Sequence, residues 1–292
     1  MKIAIFGKQF DLPFHVHCME LFSVIKQLKG EVVVYQPLLE FINKSANLFP
    51  IVDGSFTKAN EILDCDVLLS IGGDGTFLEA VTLVGSSGIP IAGINIGRLG
   101  YLADIAKEEM PEAIKEIIEG NYQIRQLDLL EVDTPGKEFG HLNFGLNEFA
   151  ITKRDSSSMM TIHTWLNDEF LNSYWADGLI IATPTGSTAY SLSVGGPIVH
   201  PLSENFVISP IAPHNLTMRP FVISNKMEIL LKIEARGGKF LASIDSRSQV
   251  FDQSIEIRVR KAGFTVNTIV RNQHSFYTTL RNKLMWGLDK RN

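Results

Sequence analysis

The segment Val67-Leu-Leu-Ser-Ile-Gly-Gly-Asp-Gly-Thr76 constrains this chain more than any other. Val67 to Ile71 is a short apolar run without polar alternation, the pattern of a strand buried on both faces of a parallel sheet. Gly72-Gly73-Asp74-Gly75 then breaks the strand, and Thr76 to Val84 takes up helical spacing. Glycines around one carboxylate, at the carboxyl end of such a strand, suit close backbone approach to a phosphate. The amides that open the next helix add donors and the positive end of a dipole. Asp74 stands where it can take a proton from a hydroxyl or help to position a metal. A simpler reading is also open, in which Asp74 caps the helix and the glycines only make a turn.

The rest of the N-terminal half repeats the alternation. Lys2–Phe6 reads as a strand, and Leu21, Val24, Ile25 and Leu28 fall on one helical face before Gly30. Glu31–Tyr35 is the next strand, followed by a helical stretch around Leu38–Ala46. Ile89–Asn95 is a strand again, and Pro111 opens a helix with Ile114, Ile117 and Ile118 on one side and Gly120 at its end. This predicts an α/β N-terminal domain, a parallel sheet flanked by helices, over residues 1–125.

From about Leu127 the texture changes. Ile229, Leu231 and Ile233 alternate with mostly polar positions, as do Ile255, Ile257 and Val259. Asn167-Asp168 joins Met160–Leu166 to Glu169–Ala176 as a hairpin turn. Residues 126–270 are therefore expected to form a β-rich C-terminal domain of sandwich or layered type. Helical spacing at Leu280, Leu284 and Leu288 predicts that the tail, 271–292, packs back on the first domain.

At 292 residues the chain has room for two substantial cores. A net charge of -5 argues against nonspecific nucleic-acid binding, which needs a basic surface. Two cysteines, Cys18 and Cys65, are too few for a disulfide framework and fit a reducing cytoplasm. Gly178 to Ser203 carries no formal charge, but its Thr, Ser, Gly and Pro content reads as buried strand plus loop, not as a membrane span.

Other stretches bear on chemistry. Gly93-Ile-Asn-Ile-Gly-Arg-Leu-Gly100 lacks the dinucleotide fingerprint spacing, and no P-loop is present. Arg98 in that loop suits bidentate phosphate contact or simple solvation. Asn147-Glu148 pairs an amide with a carboxylate, which suits two ribose hydroxyls, although such a dipeptide also occurs at strand edges. The run from Ala176 to Pro197 ends a buried strand in a loop dense with hydroxyls, where Thr188, Tyr190 and Ser193 offer neutral hydrogen bonds. The alternative there is a structural turn and a helix capped by Ser187 or Thr188. His15 and His17 face differently on a helix and have no third metal ligand nearby. Met159, Met160 and the three tryptophans are expected in the core.

Gly72–Thr76, Asn147-Glu148 and Asp177 to Pro197, in this order and spacing, resemble the bacterial NAD kinase family over essentially the whole chain. The resemblance implies phosphoryl transfer from ATP to the 2′-hydroxyl of the adenosine ribose of NAD, with polyphosphate left open as an alternative donor. It implies Mg²⁺ carried by the nucleotide with no dedicated protein site, homodimers or homotetramers, and no nucleic-acid or membrane partner. By motif position it implies Asp74 as proton acceptor, Gly75 at the ligand, and Gly72, Gly73 and Arg98 at the phosphates. Asn147 and Glu148 correspond to the pair on the adenosine ribose, and Asp177 to a contact at the nicotinamide side. Thr188, Ala189, Tyr190, Ser191, Leu192 and Ser193 form the implied wall around the bases, with Ala212 and Tyr101 as further contacts. Arg247 departs from the family pattern, which places Gln after the late Asp-Gly or Asp-Ser; Trp175 and Ser158 stand where some relatives have arginine. Lipid kinases share the first motif, and a non-catalytic dinucleotide sensor is the rival from another class.

Overall fold

The computed structural model describes residues 1–97, 100–154, 159–272 and 275–285. The chain divides into two compact units, Met1–Gln126 with Val266–Asn292, and Leu127–Thr265. The first is α/β and the second is built of antiparallel sheets, the fold class expected from the sequence.

In the first unit five parallel strands lie in the order Ile91–Asn95, Val67–Ile71, Lys2–Gly7, Glu31–Tyr35 and Gly54–Phe56. All residues of Val67–Ile71 and Ile91–Asn95 are buried, as unbroken apolar runs require. From Lys2–Gly7 the chain moves outward one way, then crosses back and builds outward the other way. The reversal lies between Lys2–Gly7 and Val67–Ile71, and ligands of open α/β sheets bind outside the carboxyl ends of strands at such a point. The turn Gly72–Gly75 leaves from that end.

Helices His15–Gln27, Gln36–Lys44 and Met110–Glu119 supply Leu21, Ile25, Leu38, Ile42, Ile114 and Ile117 to a core shared with Ile3, Ile5, Val32, Val34 and Leu69. Burying each such side chain contributes about 1.5–3 kcal/mol. On the first helix Leu21 and Ile25 are buried and Val24 packs against the same core, as the spacing predicts, with Cys18 and Phe22 added to that face and Leu28 at the C-cap. A short 3-10 turn, Leu12–Phe14, precedes this helix. Gly120 ends Met110–Glu119 in the left-handed region at φ 77°. Arg271, at the end of the strand Ile257–Arg271, is 8% exposed and bonds Glu116 at 2.6 Å and Glu109 at 2.9 Å. The helix Phe276–Leu284 follows, its N-terminus capped by the Ser275 hydroxyl, which accepts from the Thr278 N–H. Leu280 is buried, Leu284 is exposed, and Leu288 lies outside the described residues.

The second unit is a sandwich. One sheet carries Phe221–Ser224, Asn205–Ile211, Gly178–Ala182, Glu148–Lys153, Lys239–Ile244 and Arg247–Asp252, all antiparallel. The other includes Glu169–Ala176, Met160–Leu166, Ile229–Glu234 and the first residues of Ile257–Arg271. Phe149, Ile151, Phe206 and Phe240 from one sheet share a core with Ile162, Leu231, Ile233 and Val259 from the other. The hairpin turn has Asn167 and Asp168 at φ 47° and 68°, the backbone of a primed turn, where Asn and Asp are tolerated.

The tryptophan expectation is corrected. Trp175 is half exposed and lies 4.2 Å, ring centre to ring centre, from His214. It sits on an outward position of its strand, since its neighbours Tyr174 and Ala176 take the inward ones. Trp165 is half-buried, and Trp286, like Ser158, lies outside the described residues. Met160 is buried as expected, whereas Met159 is half-buried. Among the described residues no helix is long and apolar enough to cross a membrane.

Candidate active site

Asp74 is the first residue of the helix Asp74–Val84, and its carboxylate does not cap that helix. It reaches instead to the segment after Gly100. Oδ2 accepts from the Tyr101 N–H at 2.9 Å, and Oδ1 accepts from the N–H groups of Leu102 and Ala103 at 3.0 and 3.1 Å. Three successive amides thus fix one carboxylate in place. A carboxylate has about four acceptor positions, so one remains, on Oδ2. The Lys283 ammonium stands there at 3.4 Å, and it also lies 4.2 Å from the centre of the Tyr101 ring.

The glycines around Asp74 do different work. A Cβ on Gly100 would sit 1.9 Å from Asp74 Oδ1, so the clasp on Asp74 demands the first, and one on Gly72 would sit 2.3 Å from the Thr76 hydroxyl, so the turn demands the second. At Gly73 and Gly75 a Cβ would meet nothing within 4 Å. Neither glycine is required by packing, and Gly75 is a poor helix former by about 1 kcal/mol relative to Ala. Bare backbone held open at a turn is what close approach of a ligand needs. The Tyr101 hydroxyl is buried with no hydrogen-bond partner among the described residues. Burial, then the charge of Asp74, raise its pKa. Arg98 lies outside the described residues.

In the second unit the same device recurs. Asp245, on the turn between two strands, accepts from the N–H groups of Leu146, Asn147 and Glu148 at 2.9, 2.9 and 3.0 Å. This grip shapes the entry to the strand Glu148–Lys153 and places Asn147 and Glu148 at its start. Glu148 Oε2 is buried without a partner among the described residues. Burial, reinforced by the Asp245 charge and opposed by the Tyr190 N–H, pushes the Glu148 carboxyl up to about 8. Burial also raises Asp245, against its three amides and Arg247. With three donors around Asp245 and an orphaned oxygen on Glu148, we assign the charge of the pair to Asp245 and the proton to Glu148. An unsatisfied buried oxygen of this kind is costly unless a ligand answers it.

The Arg247 guanidinium is taken up by backbone. It donates to the carbonyls of Leu142 and Phe144, both at 2.5 Å, and lies 4.0 Å from Asp245. It braces the loop that precedes Asn147.

The hydroxyl-rich loop divides in two. Ser187 is fully buried, donates to the Pro184 carbonyl at 2.6 Å and accepts from the Val199 N–H at 2.9 Å. Ser191 is also fully buried and bonds the Ser209 hydroxyl at 3.0 Å, so its side chain holds the loop together. Thr188 donates to the Thr185 carbonyl at 3.1 Å. Neither Ser187 nor Thr188 caps the short helix Tyr190–Ser193. Thr188, Ala189 and Leu192 are half-buried, and Tyr190 and Ser193 are exposed. Asp177 is paired with Lys153 at 2.6 Å. Ala212 is exposed and holds φ 43°, a left-handed conformation that carries a strain of about 1–3 kcal/mol for a non-glycine residue and that clusters at functional positions.

Among the described residues no group of three or more His, Cys, Asp or Glu side chains is placed to hold a metal ion. The Asp74 oxygens are already engaged by amides. The residues described do not make a metal cage.

The architecture has counterparts among solved structures. Yeast NADH kinase complexed with NADH superposes with a TM-score of 0.86 at 23% identity, over 99% of this chain and 89% of that one. An NAD kinase from Archaeoglobus fulgidus in complex with ATP gives a TM-score of 0.77 at 25% identity, over 98% and 99% of the two chains. The fold is that of the dinucleotide kinases. Family models of the ATP-NAD kinase N-terminal and C-terminal domains match residues 24–122 and 146–270. The NAD kinases of Cytophaga hutchinsonii and Bacteroides fragilis are 43% and 44% identical to it, each over the whole of both chains. The chain belongs to the ATP-NAD kinase family and is a kinase that phosphorylates NAD.

Asp245, Gly100 and Lys283 have no site role assignable from the sequence. Asp245 and Gly100 lie in stretches singled out for other residues, and Lys283 in none; Asp245 and Lys283 make their contacts across 97 and 209 residues of chain.

Proposed function

We propose that Asp74 is the proton acceptor when the terminal phosphoryl group of ATP passes to the 2′-hydroxyl of the adenosine ribose of NAD. The 2′-oxygen forms a bond to the γ-phosphorus, the bond from that phosphorus to the β,γ-bridging oxygen breaks, ADP leaves, and the hydroxyl proton goes to the carboxylate. The observation that carries this reading is a carboxylate fixed by three amides at a switch-point turn, with one acceptor position left, on Oδ2. Phosphoryl transfer asks the protein mainly for position and charge, and a pre-set carboxylate supplies position.

Gly73 and Gly75 are assigned to the donor phosphates, with Gly72 fixing the turn. The orphaned Glu148 oxygen, with Asn147, is assigned to the adenosine ribose, and Asp177, Tyr101, Ala212 and the face formed by Thr188, Ala189, Tyr190, Leu192 and Ser193 to the rest of the dinucleotide. Mg²⁺ is assigned to the nucleotide phosphates. The working form is taken to be a cytoplasmic homodimer or homotetramer.

The test is an end-point NADP assay with NAD, ATP and Mg²⁺, repeated with polyphosphate and with NADH. Asp74→Asn is expected to lower turnover by about 10²–10⁴-fold, the usual range of general-base catalysis, while NAD still binds. Near-full turnover in that variant would remove Asp74 from the proton transfer.

A further inference from the structure

Lys283 is the one cation among the described residues that touches Asp74, and it comes from the C-terminal helix Phe276–Leu284. Two contacts hold it. Its ammonium is 3.4 Å from Asp74 Oδ2, and it lies over the Tyr101 ring at 4.2 Å, within the range of a cation–π contact. Its side chain is 31% exposed, so the ammonium is reachable from solvent.

That position is the one an acceptor hydroxyl must take. Oδ1 is filled by two amides and Oδ2 by one, so the proton of a bound hydroxyl can land only where the ammonium now stands. The lysine therefore has to give way as the acceptor arrives. Asp74 itself lies between Gly73 and Gly75, where an added Cβ would meet nothing within 4 Å, a turn open to close approach of a phosphate. A flexible ammonium with three donors, released from a carboxylate beside a polyanion, transfers to the polyanion.

We propose that Lys283 is a donor-phosphate contact: it rests on Asp74 in the free protein and is handed to the transferred phosphoryl group when the acceptor hydroxyl takes its place. This rests on the assignment of Asp74 as proton acceptor. It makes the C-terminal helix part of the donor site and couples arrival of the acceptor to charge neutralisation at the donor.

The experiment has two readouts. In the first, wild type, Lys283→Met and Lys283→Arg are compared in steady-state NADP formation, with thermal midpoints recorded. Loss of a charge-assisted contact predicts a fall of about 10- to 100-fold in kcat/KM for ATP in the Met variant, partial recovery in the Arg variant and a Kd for NAD that is unchanged or lower, because the acceptor no longer has to displace the ammonium. An unchanged or faster Met variant, or a defect confined to NAD, overturns the proposal. In the second, lysines of the wild-type protein are labelled with an amine-reactive ester and mapped by mass spectrometry, with and without a non-hydrolysable ATP analogue. Protection of Lys283 by the analogue in the presence of NAD supports the hand-over, and undiminished labelling overturns it. Labelling does not depend on turnover or on a variant's folding. Absence of NADP from the wild type would instead count against the reaction itself.

Discussion

Replacing Glu148 by Gln should make the protein more resistant to alkali. In the fold the Glu148 carboxyl is raised from 4.5 to about 8, chiefly by burial and next by the Asp245 charge. In the unfolded chain the same group ionises near 4.5. Between these values the folded state keeps a proton that the unfolded state has lost, so stability falls as pH rises through the window. Each pH unit over which the two states differ is worth about 1.4 kcal/mol, giving about 3 kcal/mol by neutral pH and at most about 5 kcal/mol above pH 8. Gln has nearly the same shape and no charge to lose. Whatever constant offset it introduces cancels when the two proteins are compared across pH. Thermal midpoints measured from about pH 5 to about pH 9 should therefore diverge, the variant gaining roughly 6–12 °C on the wild type by neutral pH. Parallel curves would mean that Glu148 ionises normally in the fold, and would refute the assignment of the proton to it.

Two further substitutions test the architecture of the site. Gly100→Ala would place a Cβ 1.9 Å from Asp74 Oδ1, so the carboxylate must leave its amides; NADP formation should drop by about 10²-fold or more, as for loss of the base, and normal activity would show that the clasp is dispensable. Arg247→Gln removes the donors to the Leu142 and Phe144 carbonyls and should destabilise the protein by about 1–3 kcal/mol in urea unfolding with no change in the KM for NAD. A KM effect without a stability effect would make Arg247 a ligand contact.

Much of the scaffold is legible because its signals are local. The unbroken run Val67–Ile71 announces a strand buried on both faces, and Asn167-Asp168 announces a hairpin whose backbone needs the positive φ that these residues tolerate. Gly120 marks a helix end in the same way. Apolar spacing finds Leu21, Val24 and Ile25 on the inner side of the first helix but not where that helix begins, because Phe14 at its N-cap offers no side-chain hydrogen bond and gives no start signal. Bulk and apolarity favour burial of Trp175, yet strand alternation puts it on the outer face. The candidate site residues Asp74, Asn147 and Glu148 lie in recognisable motifs, whereas the contacts made to them by Asp245, Gly100 and Lys283 become visible only once distant segments come together. The inward role of Ser191 is hidden for the same reason: its partner, Ser209, belongs to another strand.

On the assignment proposed for Asp74, its clasp with residues 101–103 joins reactivity to architecture in a single side chain. A glutamate in its place would carry an extra methylene and overshoot the three amides, and a longer 101–103 segment would lose the anchor. If Asp74 is the proton acceptor as proposed, change in this part of the first unit has to proceed around a fixed centre, through the Tyr101 side chain and the terminal helix, while the anchor stays put.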